Sequence, residues 1–388
     1  MTDPAYPTPP THRAALEQRL RNICGSLGVN ELRTRTSLAH TVVAQMLPAG
    51  VVKGGAAIKL RVGDRASRLT TDLDAARAAT HTIESYTAEL SDRLAEGWNG
   101  FTGHLVDREP ADPPDVPAEY VMQPFDVKLS YAGQSYVTVP LELGHDEVGS
   151  TDQPRLALDA GIAEVIERLG FPTPAPVPVL AVEHQIAQKL HACTTPDRHG
   201  GNERAHDLVD LQILVAAEPP DLRELATVGR RLFAARRVAP WPPTVLARPG
   251  WDERYGDAAE GLDVLPLAEA VAWLNDLIDA AEQAAGDRSW STTQVCQSTG
   301  PGVESGSSGG AVSGPLVIRS IAEVTLVRIS AGSNASYASS DHTCTTPSTT
   351  LCPTPLVTSR RVPWQAVVGG PRRSGRELGR RIAENGLN

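Results

Sequence analysis

The chain has 388 residues, 41% of them hydrophobic, and a formal charge of −10 from 36 basic and 46 acidic side chains. That length allows two or three domains with real cores, and the acidic balance argues against a surface that coats nucleic acid broadly, while leaving room for a local basic pocket. No run of 18 apolar residues is present to span a membrane, the start MTDPAYPTPPTHR has no basic flank leading into an apolar segment, and five scattered cysteines without a C-x-x-C pair favour neither a zinc site nor a disulfide framework; a cytoplasmic protein is the expectation.

In chain order, Leu16, Leu20, Ile23 and Leu27 are spaced for one apolar face and predict a helix over 12–27. Leu32, Leu38, Val42, Val43 and Met46, read as inward, predict a second over 29–46. Val51-Val52 opens a short segment that runs into Gly54-Gly55. A strand is expected around Asp72-Leu73-Asp74, a helix over 78–96, and strands over 101–108, 120–131 and 136–143, the last two joined by the turn Ala132-Gly133-Gln134. After about residue 150 the helical period dominates, over 157–169, 182–193, 204–217, 221–238 and 265–285. The expected fold class is α+β: a mixed-sheet domain over 1–150, then a helical domain over 151–286. From 287 the composition turns to Ser, Thr, Gly and Pro, with ten arginines against six acidic residues, so this stretch carries +4 and the remainder −14. It predicts a disordered tail over 287–388, in which apolar pieces such as 314–327 pair weakly at most.

Only four of the basic residues are lysines: Lys53, Lys59, Lys128 and Lys189. In an Arg- and Ala-rich sequence, a retained lysine can mark a position where a compact point charge serves and a planar fork does not. Chance is the preferred reading for Lys59; for the other three the surroundings decide.

Four constellations carry chemistry. Asp72-Leu73-Asp74 on a strand places both carboxylates on one face, a hard-cation arrangement suited to Mg²⁺, or a solvated strand end. Gly54 and Gly55 upstream let backbone N–H groups approach phosphate oxygens, with Arg68 and Thr70 beside them; cation plus phosphate cradle is the equipment of nucleotidyl transfer. On the strand pair, Glu142 between Leu141 and Leu143 is the preferred third metal carboxylate, with Asp126 as competitor, and Lys128 is either a nucleotide contact or a solvated charge. On the helix over 182–193, Ile186, Leu190 and Cys193 face a core, which turns Lys189 toward a cleft where it can meet a triphosphate; His184 and His191, seven apart, suggest a metal far more weakly than ordinary surface histidines. Asp207 and Asp210 share one helix face and can bind a basic group such as a nearby lysine, take a proton, or simply favour a helix N-terminal turn.

Taken in order, Lys53-Gly54-Gly55, Arg68-x-Thr70-x-Asp72-Leu73-Asp74, a lysine strand, an acidic strand, Glu183 to Lys189-Leu190-His191-Ala192, and His206-Asp207-Leu208-Val209-Asp210-Leu211 resemble the AbiEii/AbiGii nucleotidyltransferase toxins of the DNA polymerase β-like nucleotidyltransferase superfamily. The likeness covers about residues 30–215. It implies the toxin half of a type IV toxin–antitoxin or abortive-infection pair, a cognate antitoxin as partner, an NTP as substrate and Mg²⁺ as cofactor. Some relatives add nucleotides to the acceptor end of tRNA, which makes tRNA the implied acceptor. The family pattern carries Arg or Lys directly before the first Asp of the last motif, where this chain has His206. On this reading Asp72, Asp74 and Glu142 hold the metal, Gly54, Gly55, Arg68, Thr70 and Lys128 contact the nucleotide, Lys189 neutralises the triphosphate, and Asp207 and Asp210 orient it or the acceptor. A small-molecule or protein hydroxyl as acceptor, or a binding module whose catalysis has lapsed, are the rival readings.

Overall fold

Amphipathic segments early in the chain form helices that close over one face of a sheet. The computed structural model describes residues 5–110, 121–196 and 200–286, and the backbone of 317–319 and 324–326. Helix α1 (Arg13–Leu27) buries Leu16, Leu20 and Ile23, and α2 (Glu31–Ala44) buries Leu38, Val42 and Val43. The Asn30 side chain caps α2 by accepting from the Arg33 N–H at 3.0 Å, which satisfies one of the orphan donors of the first turn. Leu32, read as inward, is 67% exposed: it sits in that first turn, before the helix meets the core.

The strands are β1 (Gly50–Lys53), β2 (Leu73–Arg77), β3 (Phe101–Asp107), β4 (Gln123–Tyr131), β5 (Gln134–Gly144), β6 (Arg155–Ala157) and β7 (Val177–Val179). They make one sheet in the order β3-β4-β5-β2-β1-β7-β6. Its pairs are antiparallel except β2 with β5 and β1 with β7, so the sheet is mixed. In β4 the residues Phe125, Val127 and Leu129 are buried while Asp126 and Lys128 point the other way, the alternation of a half-buried strand. The first core joins these residues to α1, α2, α4 (Ile83–Glu96) and α5 (Ala160–Arg168).

The second half is helical: α6 (Val182–Thr194), α7 (Ala205–Ala217), α8 (Leu222–Arg236), α9 (Trp251–Ala259) and α10 (Leu267–Gly286) surround a second core built on Ile186, Leu190, Leu208, Leu211, Phe233 and Trp251. Helix α3 (Gly54–Val62) lies between the two, giving Ala57 and Leu60 to the first core and Ile58 to the second. Sequence reading left 54–62 without a helix because α3 is buried almost all round and has no polar stripe to set a period. It also carries Lys59, which is 3% exposed with its Nζ 3.1 Å from Asp64 Oδ1; this lysine is a buried ion-pair partner, away from the candidate site.

Beyond residue 286, β8 (Val317–Arg319) and β9 (Val324–Leu326) pair antiparallel with each other. Apart from these two strands, the expected tail lies outside the described residues. Among the described residues no helix is long and apolar enough to cross a membrane.

Candidate active site

The site begins with strand register. Lys53 at the end of β1 is the antiparallel partner of Asp74 in β2, and Asp74 is the parallel partner of Glu142 in β5. Registered neighbours place their side chains on the same face, so Lys53, Asp74 and Glu142 form a row across three strands. Asp72, one residue before β2 begins, shares that face by alternation, while Leu73 between them is buried on the other.

Directly after Lys53 the chain turns into α3 through Gly54 and Gly55. Gly54 has φ +62, and a Cβ there would fall 1.7 Å from Asp74 Oδ2; only glycine fits. A Cβ on Gly55 would stand 3.0 Å from the Thr70 side chain. The Asp74 carboxylate and Thr70 therefore rest on bare backbone at a helix N-terminus, where the dipole favours negative charge. Gln185 of α6 fixes the turn, donating from Nε2 to the Gly54 carbonyl at 2.7 Å.

These groups line a cavity of about 1040 Å³. Its far wall comes from α6 and α7. Lys189 Nζ donates to Asp207 Oδ1 and to Asp210 Oδ2, both at 2.7 Å. Arg68 clamps Asp210 through Nε at 2.9 Å and Nη2 at 3.0 Å, and Arg204 Nε meets Asp207 Oδ2 at 2.7 Å. Asp207 and Asp210 are 0% and 1% exposed. Burial would raise the Asp207 carboxyl, but Lys189 and Arg204 overcome it and hold it at about 2. Burial would likewise lower Lys189, yet the two carboxylates keep its ammonium above the ordinary lysine range. The row of strand residues is poised the opposite way. Burial pushes the Asp74 carboxyl up to about 6, helped by Glu142 and Asp72 and opposed by Lys53 and Lys189, and burial pulls the Lys53 ammonium down against the pull of Asp74 and Glu147. This wall carries desolvated anionic charge that an added cation would stabilise.

Residues 37–281 match the family model described as nucleotidyl transferase AbiEii toxin, type IV TA system. The chain belongs to this family. Two solved structures align over most of their own length: JHP933 of Helicobacter pylori (16% identity, 68% of this chain, 97% of that one, TM-score 0.34) and the nucleotidyltransferase toxin MenT4 of Mycobacterium tuberculosis (16%, 70%, 98%, 0.36). No curated protein matches the chain significantly. This AbiEii protein is thus a nucleotidyltransferase of the toxin–antitoxin kind.

The cavity of the AbiEii protein brings together Gly54, Gly55, Arg68, Thr70, Asp72 and Asp74, and with them Glu142, Lys189 and Asp207. Asp210 lies behind that surface, reached through Arg68 and Lys189. Lys128 is the candidate not brought there: it stands on β4 with Nζ 2.8 Å from Asp126 Oδ2, and neither of the two lines the cavity. Alternation on one strand gave its face correctly but not its distance from Asp74. His184 does not line the cavity; His191 does, its Nδ1 3.2 Å from Arg236 Nη1, with burial and Arg236 lowering it to about 4. Among the described residues no three His, Cys, Asp or Glu side chains stand together as a ready metal cage.

Two parts of the wall carried no assigned role in the sequence reading. Lys53 stood out by the scarcity of lysine and opened the Lys53-Gly54-Gly55 motif of the resemblance, but neither gave it a function. The buried Glu147 accepts from Arg236 Nε at 2.6 Å and Nη2 at 2.8 Å, and from Gln188 Nε2 at 3.2 Å. Glu147 and Arg236 are 89 residues apart and have no local signal that pairs them.

Proposed function

We propose that this AbiEii protein is a Mg²⁺-dependent nucleotidyltransferase toxin that moves a nucleotide from an NTP to the acceptor end of tRNA. The observation that carries the chemistry is the row Lys53–Asp74–Glu142 set beside the Gly54-Gly55 turn. Asp72, Asp74 and Glu142 are the residues that would hold Mg²⁺; oxygen donors on one desolvated face suit a hard cation, and the glycine cradle keeps the Asp74 carboxylate against the phosphate-binding turn. When bound, Mg²⁺ supplies Lewis-acid polarisation of phosphoryl and hydroxyl oxygens.

The chain's own groups then divide the work. Backbone N–H groups at the start of α3 and the Thr70 hydroxyl receive phosphate oxygens. Arg68, aimed by its two bonds to Asp210, keeps Nη1 for another. Asp207 and Asp210, which the sequence suggested would orient the nucleotide or acceptor, act through the cations they hold. In the reaction the acceptor hydroxyl oxygen forms a bond to the α-phosphorus, its proton passes to a carboxylate of the Asp72, Asp74 and Glu142 face, and the bond to pyrophosphate breaks, with the cavity walls holding the two reactants at attack distance. The sheet part of the chain, which runs on to Val179, gives the carboxylates, and the helices from α6 onward give the lysine–aspartate wall.

Transfer to tRNA rests on the family resemblance, against which the net acidic charge of 1–286 favours a small or protein acceptor. A cognate antitoxin is the protein partner that a type IV toxin implies. Incubating the full chain with each labelled NTP, Mg²⁺ and total tRNA tests the reading: label in the tRNA fraction is expected, and label only in protein or small molecules would replace the acceptor.

A further inference from the structure

Two lysines line the cavity, and their ammonium groups are in opposite conditions. Lys189 is spent: two buried carboxylates hold it at 2.7 Å each, and they are in turn held by Arg68 and Arg204. An incoming phosphate would have to compete with both. Lys53 has no such partner. The contact of its Nζ is the Met122 thioether at 3.1 Å, a weak acceptor, and among the described residues no carboxylate stands within ion-pair distance of it. A half-buried ammonium with so little compensation is already stripped of part of its water, so a strong anionic acceptor that reaches it meets a smaller desolvation cost on the lysine side.

Room is kept for this head group. Gly144, the last residue of β5, has no side chain where a Cβ would fall 2.9 Å from Lys53 Nζ and 3.0 Å from Met122 Sδ. Its backbone does not need the left-handed region, so the bareness serves space and not conformation. Lys53 also borders both working parts of the site: Asp74 and Glu142 follow it across the strands, and Gly54-Gly55 follow it along the chain.

We propose that Lys53 is the cation that receives the polyphosphate of the donor nucleotide, and that Lys189 is a positioning residue acting through Asp207, Asp210 and Arg68. The inference rests on the nucleotidyl-transfer reading and reassigns a role that sequence alone gave to Lys189.

The test is equilibrium titration of the full chain with the four NTPs and the four NMPs, in Mg²⁺ and without acceptor, for wild type, Lys53→Met, Lys53→Arg, Lys189→Met and Gly144→Ala. Lys53→Met should weaken NTP binding about 10- to 150-fold, the range for a lost charge-assisted contact, and NMP binding several-fold at most; Lys53→Arg should recover part of the loss. Lys189→Met should keep the preference for tri- over monophosphate. Should Lys53→Met fail to fold, Gly144→Ala keeps the charge and displaces the head group, and it should still erode that preference. A wild-type preference in Lys53→Met, an unchanged one in Gly144→Ala, or its loss in Lys189→Met in place of Lys53→Met overturns the assignment. If wild type itself binds no NTP better than its NMP, the nucleotidyl-transfer reading falls and the inference with it.

Discussion

Replacing Lys189 with methionine keeps most of the side chain's volume and removes its charge. The two carboxylates it holds are almost completely buried, and each would be left with a single arginine partner, Arg204 for Asp207 and Arg68 for Asp210. Breaking a buried pair by removing one partner costs about 3–5 kcal/mol. The hold on Asp207, from 3.8 to about 2, is worth about 2.4 kcal/mol at 1.36 kcal/mol per pKa unit, and Lys189 supplies the largest share of it. With the arginines retained, the low end of the range is expected, about 3 kcal/mol, or a fall in Tm of at most about 6–12 °C, the scale for a unit of 150–250 residues. Urea unfolding at pH 7.5 is the assay, with an unchanged m-value marking a change in stability alone. Adding Asp207→Asn to Lys189→Met removes one orphaned charge and should restore part of the loss. A Lys189→Met protein as stable as wild type that has lost nucleotide binding would refute the reasoning and return Lys189 to the substrate.

The remaining predictions concern pH, the carboxylates and the glycine turn. Because Asp207 is held at about 2 where an aspartate ordinarily titrates near 3.8, its contribution is present above pH 4 and lost as pH falls from about 4 towards 2; Lys189→Met should flatten that part of the stability profile, measured by urea midpoints across the range. Asp74 is displaced the other way, to about 6, so wild type should lose stability as pH rises from about 4 to 6, and Asp74→Asn should melt higher than wild type at pH 7.5 without divalent cation. Mg²⁺ should raise the melting temperature of wild type and not of Asp74→Asn, which should also lose label transfer. Gly54→Ala meets both a positive φ and the Asp74 carboxylate; a destabilisation of about 1–3 kcal/mol and at least a tenfold drop in transfer are expected, against a smaller loss in Gly55→Ala, whose Cβ meets only the Thr70 side chain.

What the sequence determined by itself was local. Apolar spacing marked α1 and α10, because a helix that buries one stripe must repeat it every turn. Alternation put Asp72 and Asp74 on one face and separated Lys128 from Val127 and Leu129. The order of motifs placed the chain among the AbiEii toxins. Short strands such as β6 and β7, three residues each, and the all-round buried α3 had no period long enough to read. The site itself was decided by register and crossover. Lys53, Asp74 and Glu142 become neighbours only because β1 pairs antiparallel and β5 parallel with β2, which no local pattern encodes. Likewise Lys189 reads on its helix as a free cation facing a cleft, and α7 closing over α6 turns it into the buried partner of two aspartates 18 and 21 residues further on. Which lysine is left unpaired for a substrate depends on where every carboxylate of the chain comes to rest, and that is a property of the packed molecule alone.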